Sequence, residues 1–201
     1  SGYSIDKPEV DALAKYEDDK LKPCYTLEEF VNSLEKPRKI LIQIMAGDPV
    51  DQTLHKLLPL LDKGDIVIDG GNSNYHDTNR RYHEMEKHGI HFIGMGVSGG
   101  EEGALNGPAL MPGGDEEAYK EVAPILEAIA AKNKDGKPCV SYMGPEGAGH
   151  YVKMVHNGIE YAIMQEFSEV YSLLRDVAHK SNDEMSEIFD KWNHSVVEAY
   201  L

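Results

Sequence analysis

Asp65-Ile66-Val67-Ile68-Asp69-Gly70-Gly71-Asn72-Ser73-Asn74 joins an unbroken apolar run of strand length to a turn of two glycines and three small polar residues. No polar residue alternates within 66–68, the pattern of a strand buried on both faces. The same pattern appears upstream in Arg38-Lys39-Ile40-Leu41-Ile42-Gln43-Ile44-Met45, which Ala46-Gly47-Asp48-Pro49 turns, and downstream in Ile90-His91-Phe92-Ile93-Gly94. Residues 138–143 form a fourth candidate strand. Between these runs lie segments of helical length: 50–61, opened by Asp48 or Pro49; 75–88, closed by Gly89; and 115–131. Residues 9–19 and 26–35 also read as helices, the second opened by a capping box of Thr26 and Glu29 and ended by Pro37. Strands alternating with helices of this length predict an α/β fold built on a parallel sheet.

From Gly147 onward the strand signals vanish. Residues 148–179 read as one long helix and 182–200 as another, so the predicted domains are a sheet domain, 1–146, and the start of an all-α domain, 147–201. In Gly147-Ala148-Gly149-His150-Tyr151-Val152-Lys153-Met154-Val155-His156-Asn157-Gly158-Ile159-Glu160-Tyr161, helical periodicity puts Lys153, His156, Asn157, Glu160 and Met164 on one face. A neighbouring stripe of Val152, Val155, Ile159 and Ile163 is suited to anchor the helix in a core while the polar face looks into a cleft. An amine and a carboxylate two turns apart can act as proton acceptor and donor on opposite sides of a small substrate. From this stretch alone, a solvated charged face with a chance histidine is an equal alternative. Gly158, which costs about 1 kcal/mol in a helix interior, predicts a close approach to the backbone there. Gly147 and Gly149 predict free N–H groups that would favour an anion.

The 201 residues carry a formal charge of −15, which opposes nucleic-acid and anionic-membrane partners. Cys24 and Cys139 lie far apart with no metal-ligand spacing, so neither a disulfide framework nor a metal site is expected, and a reducing, cytoplasmic setting is. No apolar run reaches the length of a membrane span, and no signal peptide is visible. A start at Ser1-Gly2 without an initiator Met is expected of a processed, tagged or incomplete chain.

In open parallel sheets, ligands bind beyond the carboxyl ends of the strands. Ile44-Met45-Ala46-Gly47 follows the first long strand, Gly70-Gly71-Asn72-Ser73 the second, and Val97-Ser98-Gly99-Gly100-Glu101-Glu102-Gly103-Ala104 comes soon after the third. Adjacent glycines let backbone N–H groups approach a carboxylate or phosphate, and Ser98 and Asn72 add side-chain hydrogen bonding. Each loop alone reads as a plain turn. Three on one rim, with the Lys153 face, predict one site.

Three groups of residues together resemble the 6-phosphogluconate dehydrogenase family. They are 68–73 (Ile-Asp-Gly-Gly-Asn-Ser); 96–104 with Gly107-Pro108 and Leu110-Met111-Pro112-Gly113-Gly114; and 147–161. The wider β-hydroxyacid dehydrogenases share the architecture, and the intact Lys-Met-Val-His-Asn-Gly-Ile-Glu-Tyr run at 153–161 points to the sugar-acid member. The resemblance implies a Rossmann-like dinucleotide-binding domain, incomplete at its amino end, and oxidative decarboxylation of 6-phospho-D-gluconate to D-ribulose 5-phosphate and CO2 with reduction of NADP. It implies Lys153 as the base and Glu160 as the acid. Ser98, Gly99, Gly100, His156, Asn157 and Tyr161 match substrate-binding positions, Asn72 a residue touching both substrate and coenzyme, and Ile44, Met45 and Ala46 a coenzyme-contacting segment. A homodimer of the full-length protein is implied as well.

The chain also departs from the pattern. The family's opening strand, glycine phosphate turn and helix have no counterpart, and Gly2-Tyr3-Ser4-Ile5-Asp6 stands where an Asn-Arg-Thr segment holds the coenzyme 2′-phosphate, which leaves NAD possible. Met45 replaces a common Lys, and Ala162-Ile163 a common Gly-Asp. An internal piece of a longer enzyme is therefore expected. The alternatives are a related enzyme such as a 3-hydroxyisobutyrate dehydrogenase, and an inactive binding or dimerisation module. Trp192, Phe189 and Val196 read as helix packing, His76, His83 and His88 as solvated, and Glu17-Asp18-Asp19 as a solvated helix end.

Overall fold

The structure is a computed structural model that describes residues 1–16 and 20–195. The acidic run 17–19 and the packing role of Val196 lie outside the described residues. The chain divides into two compact units, Ser1–Lys153 and Met154–Leu201.

The first unit is α/β. Two short strands, β1 (Gly2–Tyr3) and β2 (Pro23–Cys24), pair in parallel and are joined by helix α1 (Lys7–Leu13). Helix α2 (Leu27–Asn32) then leads to a four-stranded sheet in the order β3 (Lys39–Ile42), β4 (Ile66–Asp69), β5 (His91–Ser98), β6 (Ala109–Gly114). The first three strands are parallel; β6 runs antiparallel to β5. Helices α3 (Asp48–Leu57), α4 (Tyr75–Lys87), α5 (Gly100–Asn106) and α6 (Glu116–Ile129) fill the connections.

Period-two alternation divides the core between the sheet's faces. Val67 joins Ile40, Ile42, Phe92 and residues of α2, α3 and α4, whereas Ile66 and Ile68 join Ile93, Met95, Leu110 and the inner stripe of α6. The amino ends of β3 and β4 are tied by a buried ion pair: Arg38 Nη1 lies 2.7 Å from Asp65, whose other oxygen accepts from the Arg38 amide at 2.7 Å.

Several expectations are corrected. Among the described residues β3 pairs with β4 alone and Leu41 is 49% exposed, so the strand at 38–45 is not buried on both faces there. Because Arg38 and Ile42 carbonyls accept from β4, ladder geometry turns the backbone groups of Lys39 and Leu41 outward. Residues 138–143 form only isolated bridges, and the fourth strand is Ala109–Gly114. The third strand runs on through Ser98 into α5, a helix the glycine content concealed. The capping box at α2 is displaced: Thr26 accepts from the Glu29 amide at 3.1 Å, but the Glu29 carboxylate receives the Tyr25 amide.

Helix α7 (Ala148–Ser172) opens in the first unit, and there its glycines serve packing. A Cβ on Gly149 would overlap the carbonyl oxygens of Gly94 and Met111, and one on Gly113 would overlap the Gly149 backbone. The helix therefore rests on β5 and β6 backbone to backbone. The Gly147 N–H is occupied, donating to Asn79 Oδ1 at 2.8 Å. His150 is 2% exposed, its Nδ1 2.7 Å from Thr78 Oγ1 and its Nε2 without a hydrogen-bond partner among the described residues.

In the second unit, α7 continues into a π-helical turn (Leu173–Val177) and α8 (Asn182–Asn193), which a full capping box between Ser181 and Glu184 opens. Phe189 and Trp192 pack edge to face at 5.6 Å. Of the stripe expected to anchor α7, Val155 (43%) and Ile159 (57%) are exposed, and Val152 and Ile163 are half-buried. Among the described residues none approaches Gly158, where a Cβ would meet nothing within 4 Å. His76, His83 and His88 are exposed, as expected.

Two glycines of one helix thus predict opposite outcomes. Gly149→Ala should destabilise the chain by about 2–3 kcal/mol through overpacking against backbone, whereas Gly158→Ala should stabilise it by about 1 kcal/mol through helix propensity, both read by urea denaturation. Burial holds the His150 pKa below its ordinary 6.5, so the unfolded chain takes up this proton before the folded one. Its contribution is complete above pH 6.5 and lost as pH falls. Below that pH the parent chain should lose stability faster than His150→Gln, by at most about 1.4 kcal/mol per pH unit.

Candidate active site

The carboxyl ends of β3, β4 and β5 carry the three loops singled out in the sequence. Ile44, Met45 and Ala46 leave β3 with Met45 76% exposed, and Gly47 takes a φ of 91° that starts α3. The loop after β4 passes close beside this segment: a Cβ on Gly71 would lie 2.8 Å from the Ile44 carbonyl oxygen, and one on Gly70 2.6 Å from Gln43 Oε1. Only glycines let these two chain segments come so near. Asn72, between them and α4, is exposed.

At the end of β5, Ser98 is half-buried, while Gly99 (φ 131°) and Gly100 (φ 57°) turn the chain into α5 in conformations that favour glycine. Lys153 stands against the same strand, because a Cβ on Gly96 would fall 2.5 Å from Lys153 Cβ. The residue pattern Gly96-Val97-Ser98 thus leaves room for the lysine stem two positions before the serine. Of the twelve residues expected at a site, the first unit holds Ile44, Met45, Ala46, Asn72, Ser98, Gly99, Gly100 and Lys153.

The other four, His156, Asn157, Glu160 and Tyr161, lie in the second unit on the continuation of α7. His156 Nδ1 is 3.3 Å from Glu160 Oε2 and 3.2 Å from Asn157 Oδ1, so one turn of helix gathers an imidazole, an amide and a carboxyl. All three are half-buried; Tyr161 is 70% exposed. An imidazole in hydrogen-bond range of a carboxyl can hold it in one rotamer and share its proton.

Behind the rim lies a buried polar layer that the sequence reading missed. Asp69, the last residue of β4, is fully buried; its Oδ1 accepts from the Gly71 amide at 3.1 Å and its Oδ2 from Ser73 Oγ at 2.7 Å. Arg81 of α4 is also fully buried and meets Asp51 of α3 through two hydrogen bonds of 2.8 and 3.0 Å. The Arg81 guanidinium beside it holds the Asp51 carboxyl well below the usual carboxylate range. Two signals pointed here. An acid closing an unbroken apolar strand needs donors when buried, and Thr78, Arg81 and Met85 recur at helical spacing on one inward face.

The whole chain has relatives. A sequence model of the NAD binding domain of 6-phosphogluconate dehydrogenase matches residues 1–144, and one of that enzyme's C-terminal domain matches 149–201. A decarboxylating 6-phosphogluconate dehydrogenase of Staphylococcus aureus (strain N315) is 61% identical over 90% of this chain and 39% of its own length. One from Staphylococcus epidermidis is 55% identical over 100% of this chain and 43% of its own length. The chain thus spans about two fifths of the length of these curated relatives. Among solved structures, a Plasmodium falciparum 6-phosphogluconate dehydrogenase is 41% identical with a TM-score of 0.90, covering 98% of this chain and 42% of that one. It has been solved in its apo form, in complex with its cofactor NADP+ and in complex with its substrate 6-phosphogluconate. A Mycobacterium tuberculosis 3-hydroxyisobutyrate dehydrogenase, 23% identical with a TM-score of 0.65 over 85% of this chain and 55% of that one, shares the fold. By the match of both sequence models and by these identities, the chain belongs to the 6-phosphogluconate dehydrogenase family.

Proposed function

We propose that this chain supplies the coenzyme-facing sheet and the proton-transfer helix of an enzyme that oxidatively decarboxylates 6-phospho-D-gluconate to D-ribulose 5-phosphate and CO2. The observation that carries the reading is the seating of Lys153 on Gly96, which puts its stem beside the Ser98 rim, on a helix whose next turns bear His156, Asn157 and Glu160. Lys153 accepts the C3 hydroxyl proton as hydride leaves C3. Its ammonium then polarises the new ketone, so the electrons of the breaking C1–C2 bond move toward C2 and CO2 departs. What remains is an enediol, and Glu160 delivers a proton to its terminal carbon. His156, within 3.3 Å of Glu160, positions that carboxyl. Asn157, Tyr161, Ser98, Gly99, Gly100 and Asn72 hold the sugar acid.

NADP, when bound, takes the hydride. The residues present suit a dinucleotide on the β3 and β4 rim: exposed Ile44 and Met45 offer apolar surface to a flat ring, and Asn72 offers both a donor and an acceptor. A cavity of about 530 Å³ at the end of β1, lined by Tyr3, Ser4, Lys7 and Asp11 among others, brings one cation and one acid to the segment that the family resemblance links to the 2′-phosphate. Lys7 favours NADP there and Asp11 favours a free ribose, so NAD is the second coenzyme to test. The exposed apolar residues of the second unit, Ile159, Met164 and Phe167 among them, support a homodimer. Two unpaired cysteines support a cytoplasmic setting.

Full-length protein carrying this chain should produce NADPH, followed at its absorbance band, and CO2 from 6-phosphogluconate. Lys153→Met should cut kcat by about a thousandfold or more and Glu160→Gln by about a hundredfold, the range of general acid–base contributions. Faster turnover of 3-hydroxyisobutyrate than of the sugar phosphate, or near-normal kcat in the lysine variant, would refute the reading.

A further inference from the structure

Of the two fully or nearly buried arginines, Arg38 ties strands at the amino ends of the sheet, away from the rim. Arg81 sits at the carboxyl ends and touches both loops of the coenzyme rim. One Nη2 donates to the Gly47 carbonyl at 2.9 Å and to Asp51 Oδ2 at 3.0 Å, on the β3 side. On the β4 side, Nη1 reaches Ser73 Oγ at 3.4 Å and lies 3.6 Å from Asp69 Oδ2. Asp69 in turn holds the Gly71 amide, and the Gly47 carbonyl accepts from the Val50 amide at 3.0 Å, closing the first turn of α3.

A single planar, permanently charged fork therefore spans the chain segments that flank Met45 and Asn72. Burying it is costly unless its donors are matched, and here they meet Asp51, Asp69, Ser73 and the Gly47 carbonyl. Its neighbour Arg80 makes an outwardly similar pair with Asp51, at 2.9 Å, but is half exposed and reaches neither loop.

We infer that Arg81 is a positioning residue for coenzyme use: it sets the spacing between the β3 and β4 loops, and so the distance between the Ile44–Ala46 backbone and Asn72. This rests on the coenzyme reading given above. A lysine at this position keeps the charge but, as a point donor on a flexible stem, cannot hold both loops at once. The rim then opens while the sheet below stays intact.

The test uses Arg81→Lys, chosen over alanine because an unpaired Asp69 would endanger folding, with Arg80→Gln as control. Amide exchange in the full-length protein should quicken about tenfold at Gly71 and Val50 in Arg81→Lys, with the His91 amide, bonded to the Asp65 carbonyl, unchanged and the control unaffected. In the full-length protein, the KM for NADP+ should rise about tenfold, more than that for 6-phosphogluconate, with the control near normal. Unaltered exchange at Gly71 and Val50, acceleration that extends equally to His91, or quickened loops with an unchanged coenzyme KM would each overturn the inference. Should the unmutated protein fail to turn over 6-phosphogluconate, the functional proposal falls, and the exchange comparison still decides whether Arg81 fixes the loops.

Discussion

Backbone-on-backbone contact where Gly149 crosses Gly94, Met111 and Gly113 is the constraint on which the first unit depends. Side chains normally keep a helix about 10 Å from a sheet; here glycine on both partners removes them, and α7 begins in direct contact with β5 and β6. The gain is positional. With the first turn fixed on rigid strands, Lys153 follows one turn later against Gly96, so its amine issues from a defined point. His150, packed between Thr78 and the glycine strand, fills the space that remains.

A second layer of order is electrostatic. Helix α4 looks uniformly polar, yet Thr78, Asn79 and Arg81 reach His150, the Gly147 amide and the β3 loop respectively. One helix therefore braces both the start of α7 and the neighbouring loops. Such buried polar groups contribute little net stability, because desolvation offsets their attraction. Their effect is to fix the geometry of the loops they join.

The sequence made the alternation of strands and helices legible because the long strands are apolar and the turns glycine-rich. The alternation of β3 was hidden: Ile40 and Ile42 face a core, while Leu41, equally apolar, does not. The β6 strand was hidden for the opposite reason, since Leu110-Met111-Pro112-Gly113-Gly114 has turn composition, and its Gly113 answers to the helix that begins at Ala148 while Gly114 answers to β5. Lys153, His156, Asn157 and Glu160 could be put on one face of α7 by helical periodicity, and Asn72 and Ser98 on glycine loops, whereas Ile44, Met45, Ala46 and Tyr161 came from the family resemblance. Arg81 was missed, because despite its helical spacing with Thr78 and Met85 an arginine in a charged helix reads as solvated until its partners, Asp51 and Asp69, are brought beside it by folding.

The outward edge of β3 bears on how the molecule behaves in a crowd. Among the described residues β3 has a strand on one side only, and an extended segment of the longer protein or of another chain can add to its outward groups beside the exposed Leu41. Lys39, held 3.6 Å from Glu121, places a charge at that margin, and the excess of fifteen negative charges makes like molecules repel. Where no such segment covers that edge, salt that screens this repulsion lowers the barrier to edge-to-edge stacking.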